Sequence, residues 1–204
     1  METRSYNVYK FDELSDEAKE SAINSFRGID QDLPWIDENR KSMETFCDIF
    51  NVKVTDWHYS PYSHSSISFN MDNVDDDVKE LKGIRLLKYI VNNYWSDLFK
   101  GKFFSTSGKY IDGQYHYRSR HSKVMFETSC VLTGYCLDDD ILKPVYDFLK
   151  KPDENVDLEY LVNDCLWSWI YACNRDIEYQ FSDEAITETI ECNDYMFTED
   201  GELA

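Results

Sequence analysis

The sequence SDEA occurs at residues 15–18 and again at residues 182–185. In each copy the serine comes directly before a helical pattern of apolar residues, so its hydroxyl can cap the helix. The acidic pair that follows falls in the first helical turn, where the helix dipole favours negative charge. We therefore interpret the repeat as shared capping chemistry at two helix starts rather than as a duplication.

Alternating segments flank the two copies. SYNVYKF at residues 5–11 comes before the first copy, and DYMFTED at residues 194–200 comes after the second. Alternation of apolar and polar residues is typical of a half-buried strand. We expect the N-terminal and C-terminal strands to pair and to close an α+β fold.

The size and composition of the chain are those of a folded domain. Its 204 residues are 42% hydrophobic and 16% aromatic, which is enough to bury a substantial core and excludes a disordered acidic tail. Seven glycines and four prolines leave few positions for a flexible linker. We predict one compact acidic α+β domain over residues 1–204, with several amphipathic helices packed on a small antiparallel sheet.

The periodicity of apolar residues places the remaining elements. Gly28 is a natural end for the first helix. Gly83 weakens the start of a long amphipathic helix by about 1 kcal/mol relative to alanine, which favours a later start. The predicted helices cover about 34–50, 76–99, 138–150 and 157–175, the predicted strands 51–60 and 65–71, and a hairpin or meander lies within 102–133.

The charge is strongly negative and unevenly distributed. The chain has 40 acidic and 21 basic residues, for a net charge of −19. Residues 82–123 contain nine basic and two acidic residues, whereas both flanking segments are acidic. Lys and Arg supply most of the affinity of a protein for nucleic acid, so the overall balance argues against direct binding of DNA or RNA.

The six cysteines are scattered, with no Cys-x-x-Cys pair and no zinc-finger spacing. Several have apolar neighbours, as in LVNDCLWSWIYACN at residues 161–174. This pattern indicates free buried thiols in a reducing cytoplasm. The N-terminal residues form no signal-peptide core, and no apolar stretch has the length of a membrane span, so we expect a cytoplasmic protein without a membrane partner.

The sequence lacks the common motifs of catalytic and nucleotide-binding sites. It contains no Walker loop, no Gly-x-Gly-x-x-Gly, no Gly-x-Ser-x-Gly and no His-Glu-x-x-His. The acidic runs at residues 75–77 and 138–140 could offer oxygen ligands to a hard metal ion. Both runs lie at predicted helix starts, which favours solvated first turns. We expect no enzyme activity, no cofactor and no metal.

A basic stretch lies at residues 113–123, GQYHYRSRHSK. On a strand, Tyr115 and Tyr117 share one face, whereas His116, Arg118 and Arg120 share the other, with His121 and Lys123 close by. These basic residues could be solvated or complemented by the acidic surface of their own chain, or they could bind an acidic partner, a second copy in a homodimer, or nucleic acid. The net charge favours the solvated or intramolecular alternative. The predicted secondary basic patch consists of His116, Arg118, Arg120 and Lys123.

The C-terminal segment 176–204 contains ten acidic residues and no Lys or Arg. On a helix that begins after Ser182, three glutamates at i, i+4 and i+7 line one face, with neighbouring carboxylates about 5–6 Å apart along the axis. Such a row of negative charge can imitate a nucleic-acid backbone, or it can serve solubility alone. The predicted partner-binding residues are Asp183, Glu184, Glu188, Glu191, Asp194, Glu199 and Asp200.

The two ends of the chain resemble a mostly uncharacterised group of small acidic proteins of phages and other mobile elements. The similarity lies in YNVYKFDELSDEAKESAINSFR at 6–27 and YQFSDEAITETIECNDYMFTEDG at 179–201, with a less specific match in FCDIFNVKV at 46–54. Small acidic proteins of mobile elements are often antagonists of host defence, including anti-CRISPR and anti-restriction proteins. The resemblance implies an inhibitor acting in the host bacterium and implies no catalytic residues.

Three functions follow from these observations. The first is a non-enzymatic inhibitor whose acidic surface occupies a basic channel of a nuclease complex or another nucleic-acid-binding protein. The second is a mobile-element accessory protein that binds some other host or phage protein and uses its acidity for solubility. The third is an enzyme whose site has no recognised motif.

Overall fold

The computed structural model describes residues 7–28, 35–60, 63–98, 102–126, 130–133 and 137–204. Over 102–111 and 115–126, and at position 35, it describes the backbone alone. The helices are α1 (Asp16–Gly28), α2 (Trp35–Phe50), α3 (Asp76–Lys79), α4 (Gly83–Leu98), α5 (Leu137–Lys150), α6 (Leu158–Gln180) and α7 (Asp183–Cys192). The strands are β1 (Tyr9–Lys10), β2 (Lys53–His58), β3 (Ser66–Asn70), β4 (Lys102–Ile111), β5 (Gln114–Phe126) and β6 (Met196–Phe197). The predicted α+β class is confirmed.

The chain divides into two compact units. The terminal unit consists of Met1–Leu33 and Asn174–Ala204, and the central unit of Pro34–Cys173. The division falls within α6, between residues 173 and 174. That residues 1–204 form a single domain stays a prediction.

The terminal unit joins the two ends of the chain, as the flanking strands predicted. Strands β1 and β6 pair antiparallel, with Tyr9 opposite Phe197 and Lys10 opposite Met196. Helices α1 and α7 pack together beside this pair. The buried residues of this unit form one apolar cluster: Phe11, Leu14, Ala18, Ala22, Phe26, Ile186, Ile190 and Phe197.

The central unit is built mainly from amphipathic helices. The buried faces of α2, α4, α5 and α6 form its apolar core, and α6 contributes the largest share of it. Trp169 of α6 is fully buried, and its indole Nε1 donates a hydrogen bond of 2.8 Å to the backbone carbonyl of Asn39. Satisfying the indole N–H allows this large side chain to lie in the core without an unpaired donor.

Two hairpins belong to the central unit. Strands β2 and β3 pair antiparallel, as do β4 and β5, which confirms the predicted strands and the hairpin within 102–133. Asp112 and Gly113 join β4 to β5, both with positive φ, as a type I′ turn requires. In the described residues the strands therefore form three separate two-stranded sheets rather than one sheet.

The prediction of one long helix from about 76 to 99 is wrong for residues before Gly83. The later start of the helix, which the weak helix propensity of Gly83 favoured, is confirmed. The chain forms the single turn α3 and then α4, which begins at Gly83 with a φ of +54°. Lys82, just before it, forms a bridge with Asp157, and the Glu154 carboxylate lies where a side chain at position 83 would project. Contacts with the segment before α6 therefore interrupt the helical periodicity.

Candidate functional site

Helix α7 is held in place by a serine cap and an apolar stripe. The Ser182 hydroxyl accepts a hydrogen bond of 3.2 Å from the backbone N–H of Ala185, as the capping pattern predicted. Ala185, Ile186 and Ile190 are buried on the side that packs in the terminal unit. Because these positions fix which side of the helix faces inward, the remaining positions of α7 face solvent.

The outer side of α7 presents a row of three exposed glutamates, Glu184, Glu188 and Glu191, which we call the acidic row. Their spacing of four and three residues places them along one face, about 6 and about 4.5 Å apart along the axis. Within the part of the chain that the structure describes, no ion pair or side-chain hydrogen bond involves these three carboxylates. The acidic row is therefore a line of charge on α7 that no side chain among the described residues compensates.

Two of the predicted partner-binding acids are already paired with cations. Asp183 forms a salt bridge with Arg27, whose Nε also donates a hydrogen bond of 3.1 Å to the backbone carbonyl of Phe181. Asp194 lies 3.6 Å from the Lys10 ammonium. Both carboxylates are exposed, so these pairs contribute little stability, but they reduce the negative charge at the two ends of the acidic row.

Glu199 and Asp200 lie in the exposed turn after β6. The backbone N–H of Gly201 donates to the carbonyl of Thr198 at 3.0 Å, and this closes the turn. The structure describes no cation paired with either carboxylate among the residues it covers. These two acids therefore add negative charge to the terminal unit outside α7.

The first SDEA segment adds acids that the predicted site left out. Asp16 and Glu17 lie in the first turn of α1, and with Glu20 they are exposed. The Ser15 hydroxyl caps this helix by accepting a hydrogen bond of 3.2 Å from the Ala18 N–H. Since α1 packs against α7, the repeat places acidic first turns on two neighbouring helices of one unit. The repeat itself was the signal for these additional residues.

A small groove of about 220 Å³ lies in the terminal unit at the C-terminal end of the acidic row. Apolar side chains form part of its lining, together with carboxylates and one ammonium group. This combination suits contact with an aliphatic stem that ends in a positive charge. The residues that line it are Lys10, Phe11, Asp12, Ile190, Glu191, Asp194 and Tyr195.

The predicted secondary basic patch falls on β5. In the register with β4, His116 is opposite Lys109 and Arg120 is opposite Thr106. The side chains of His116, Arg118, Arg120 and Lys123 lie outside what the structure describes. Their predicted complementation by an acidic surface therefore stays a prediction.

The acidic run at 75–77 lies at the start of α3 and is exposed, which agrees with a solvated helix start. Asp76 pairs with Lys79 at 3.0 Å within the same turn. Over the described residues, no group of three or more His, Cys, Asp or Glu side chains is arranged to hold a metal ion.

The interpretation of the run at 138–140 as a solvated helix start is wrong for Asp138, which is fully buried. Its Oδ1 accepts hydrogen bonds from the Ser42 hydroxyl at 2.6 Å and the Thr133 hydroxyl at 2.9 Å. Its Oδ2 accepts from the backbone N–H groups of Leu132 and Thr133, at 3.0 and 2.7 Å. Ser42 of α2 and the residues at 132–133, before α5, supply these donors. The carboxylate therefore links these residues to α2, and the donors satisfy its hydrogen-bonding capacity in place of water.

The described cysteines are free, and most of them lie in the core. Burial, with the nearby Asp48 and Glu44 carboxylates, raises the pKa of the Cys47 thiol to about 12. Burial also raises the pKa of Cys165. A thiol that stays protonated near neutral pH is a poor nucleophile. Cys192, at the end of α7, is exposed.

Comparison of the chain with protein-family models, curated proteins and solved structures gives no match. Among the described residues, no helix combines the length and the apolar character that crossing a membrane requires. The resemblance of the chain ends to acidic proteins of mobile elements stays a prediction.

Proposed function

We propose that this chain is a non-enzymatic binding protein that inhibits a nucleic-acid-handling defence complex of a host bacterium, of the anti-CRISPR or anti-restriction type. Its partner is a basic nucleic-acid-binding protein or nuclease complex in the host cytoplasm. The acidic row of α7 occupies a basic channel of that partner in place of DNA or RNA. The single observation behind this proposal is the line of three exposed, uncompensated carboxylates on an ordered helix.

The surroundings of the acidic row support electrostatic recognition. Segment 174–204 contains ten acidic residues and one arginine. The exposed acids of α1 belong to the same unit as the row. A surface with one dominant sign of charge attracts a basic partner from a distance and speeds its association.

The row also has a cost that points to a role in binding. Carboxylates spaced three and four residues apart repel one another by a few tenths of a kcal/mol each. Glu191 is near the C-terminal end of α7, where the helix dipole disfavours negative charge. A partner with complementary positive charge would remove both penalties.

The experiment replaces Glu184, Glu188 and Glu191 together by glutamine, which keeps their size and removes three charges. The partner is captured from bacterial lysate on the immobilised wild-type protein, identified by mass spectrometry and purified. Fluorescence anisotropy then measures how well each variant displaces labelled DNA or RNA from it. We expect the triple variant to lose most of the competition, mainly through slower association, and wild-type binding to weaken as salt rises.

The matched control removes three exposed charges from the central unit, by Asp72→Asn, Asp77→Asn and Glu80→Gln. This control should compete as the wild type does, and circular dichroism should give the same helix content for all three proteins. If the α7 variant competes as well as the control at the same salt concentration, the acidic row serves solubility and the proposal is wrong.

A further inference from the structure

In the central unit, the outer face of α6 presents aromatic side chains to solvent. Tyr160, Asp164, Trp167 and Tyr171 follow one another at intervals of four, three and four residues, which places them along one side of the helix. Tyr171 is 57% exposed and Tyr160 54% exposed. Aromatic residues on a surface are more typical of binding sites than of solvated helix faces.

Part of this face forms a groove of about 390 Å³ with α5, lined by Pro144, Asp164, Trp167, Ser168 and Tyr171. The rings of Trp167 and Tyr171 lie 5.6 Å apart between centroids, tilted by 34°. They form two neighbouring aromatic surfaces on one side of the groove. Side chains of this kind lose little conformational freedom when a ligand covers them.

The α5 side of the groove is fixed by an unusual hydrogen bond. Pro144 lies inside α5 and has no N–H to donate to the carbonyl of Asp140, four residues earlier. The Ser168 hydroxyl of α6 donates to that carbonyl at 2.7 Å instead. This hydrogen bond links α6 to the segment of α5 that contains Pro144, at the side of the groove.

The groove contains one carboxylate, that of Asp164. Partial burial raises the pKa of this group, because its charged form loses hydration among the surrounding side chains. Across the described residues, no ion pair or hydrogen bond compensates this carboxylate. Lys143, next to Pro144 in the sequence, pairs with Asp147 of its own helix, at 2.6 Å.

We propose that this groove of the central unit binds an arginine side chain presented by a partner protein. The planar guanidinium stacks on the rings of Trp167 and Tyr171 and donates hydrogen bonds to the carboxylate of Asp164. The aliphatic stem of the arginine lies along Pro144. This inference concerns the other unit of the chain and does not depend on the acidic row.

Charge complementarity selects arginine over the other candidates. A lysine ammonium satisfies the carboxylate but cannot stack as a plane and is more strongly hydrated. A nucleic-acid base could stack on the rings, but its phosphates would meet Asp164 and the overall charge of −19. The combination of two rings and one poorly solvated carboxylate therefore fits a guanidinium.

The test titrates the full chain with a short peptide of alternating arginine and alanine, and with matched peptides in which lysine or citrulline replaces arginine. Calorimetry gives the affinity, and the indole N–H resonance of Trp167, assigned with Trp167→Phe, reports on the groove. We expect the arginine peptide to shift this resonance and to bind more tightly than the lysine peptide. Tyr171→Ala and Asp164→Asn should each weaken its binding about fivefold.

The control is Tyr179→Ala, which removes a tyrosine that is 50% exposed on the same helix but outside the groove. This uncharged substitution should leave the affinity unchanged, provided that circular dichroism shows the variant to be folded. Three results would each overturn the proposal. The citrulline peptide could bind as tightly as the arginine peptide, the Trp167 indole resonance could stay unchanged, or Tyr179→Ala could weaken binding as much as Tyr171→Ala does.

Binding of single-stranded DNA that depends on Tyr171 would overturn the proposal in favour of a nucleic-acid site. If the acidic row fails to compete with nucleic acid in the experiment on α7, the outcome of this test does not change, because the test reports on the groove of the central unit.

Discussion

At the scale of the residue, Gly201 determines how the C-terminal turn meets α1. Its φ is +83°, a conformation that side chains other than glycine rarely adopt. A Cβ at this position would lie 2.1 Å from the carbonyl oxygen of Ala18. Glycine therefore allows the turn after β6 to approach the backbone of α1 closely, within the unit that contains the acidic row.

We predict that Gly201→Ala destabilises the protein by at least about 2 kcal/mol, since it adds both backbone strain and a backbone clash. Gly113→Ala is the matched control, because Gly113 has a φ of +79° with nothing within 4 Å of its missing Cβ. The control should cost only the conformational strain, about 1–2 kcal/mol. Denaturant unfolding followed by circular dichroism measures both, and equal losses would refute the close approach.

Asp138 illustrates a second residue whose role depends on distant partners. Its position in the first turn of α5 suggests a solvated acid, yet donors from α2 and from residues 132–133 surround it. The sequence does not reveal the Ser42 donor, because it lies almost a hundred positions earlier in the chain. Burial of a polar side chain is decided by tertiary contacts, which explains why the sequence-based interpretation failed here.

At the scale of the element, the features with local causes were predictable. The caps of α1 and α7 depend on Ser15 and Ser182 and on the acids next to them, so the helix starts could be located from four residues. The break between α3 and α4 depends on Glu154 and Asp157, far along the chain, and could be anticipated only as a weak start at Gly83.

The candidate site divides in the same way. The spacing of Glu184, Glu188 and Glu191 follows from helix geometry and was predicted. The pairing of Asp183 with Arg27 joins opposite ends of the chain, so it was not predictable. The aromatic groove of α6 was also missed, because the same 3.6-residue periodicity describes a buried face and an exposed aromatic face.

Helix α5 provides a prediction about the junction between two elements. Ser168→Ala should destabilise the protein by about 1–2 kcal/mol, because it leaves the Asp140 carbonyl without the donor that replaces the missing N–H of Pro144. In a Pro144→Ala background the helix regains its own donor to that carbonyl. The same serine substitution should then cost clearly less.

A double-mutant cycle measured by denaturant unfolding provides the test. We expect a coupling free energy of about 1 kcal/mol between positions 144 and 168. The single variants Pro144→Ala and Ser168→Ala each give the change in the free energy of unfolding for one substitution alone. Additive effects within error would mean that the hydroxyl does not substitute for the missing helix donor.

At the scale of the whole molecule, the chain assembles its terminal unit from its two ends. Residues 34–173 separate the segments that form this unit, so the pairing of β1 with β6 requires closure of a long loop. Contacts of such sequence separation tend to form late in folding. The acidic row lies on α7, which packs against α1, so its place in this unit is fixed only when both ends of the chain are folded together.

The net charge of −19 also acts on the whole molecule. Like charges repel one another more in the folded state than in the expanded unfolded chain, and salt screens this repulsion. The ion pairs among the described residues are mostly exposed and contribute little, so their loss in salt has a small effect. Relief of repulsion should therefore dominate.

We predict that the melting temperature rises when sodium chloride increases from about 50 to about 500 mM, a range over which the screening length falls below about 5 Å. Removing three negative charges with Glu184→Gln, Glu188→Gln and Glu191→Gln should reduce the dependence of the melting temperature on salt. Differential scanning calorimetry at constant pH measures both effects. A melting temperature that falls with salt would mean that the exposed ion pairs outweigh the repulsion. A triple variant with the salt dependence of the wild type would mean that the carboxylates of the acidic row do not contribute to the repulsion that salt relieves.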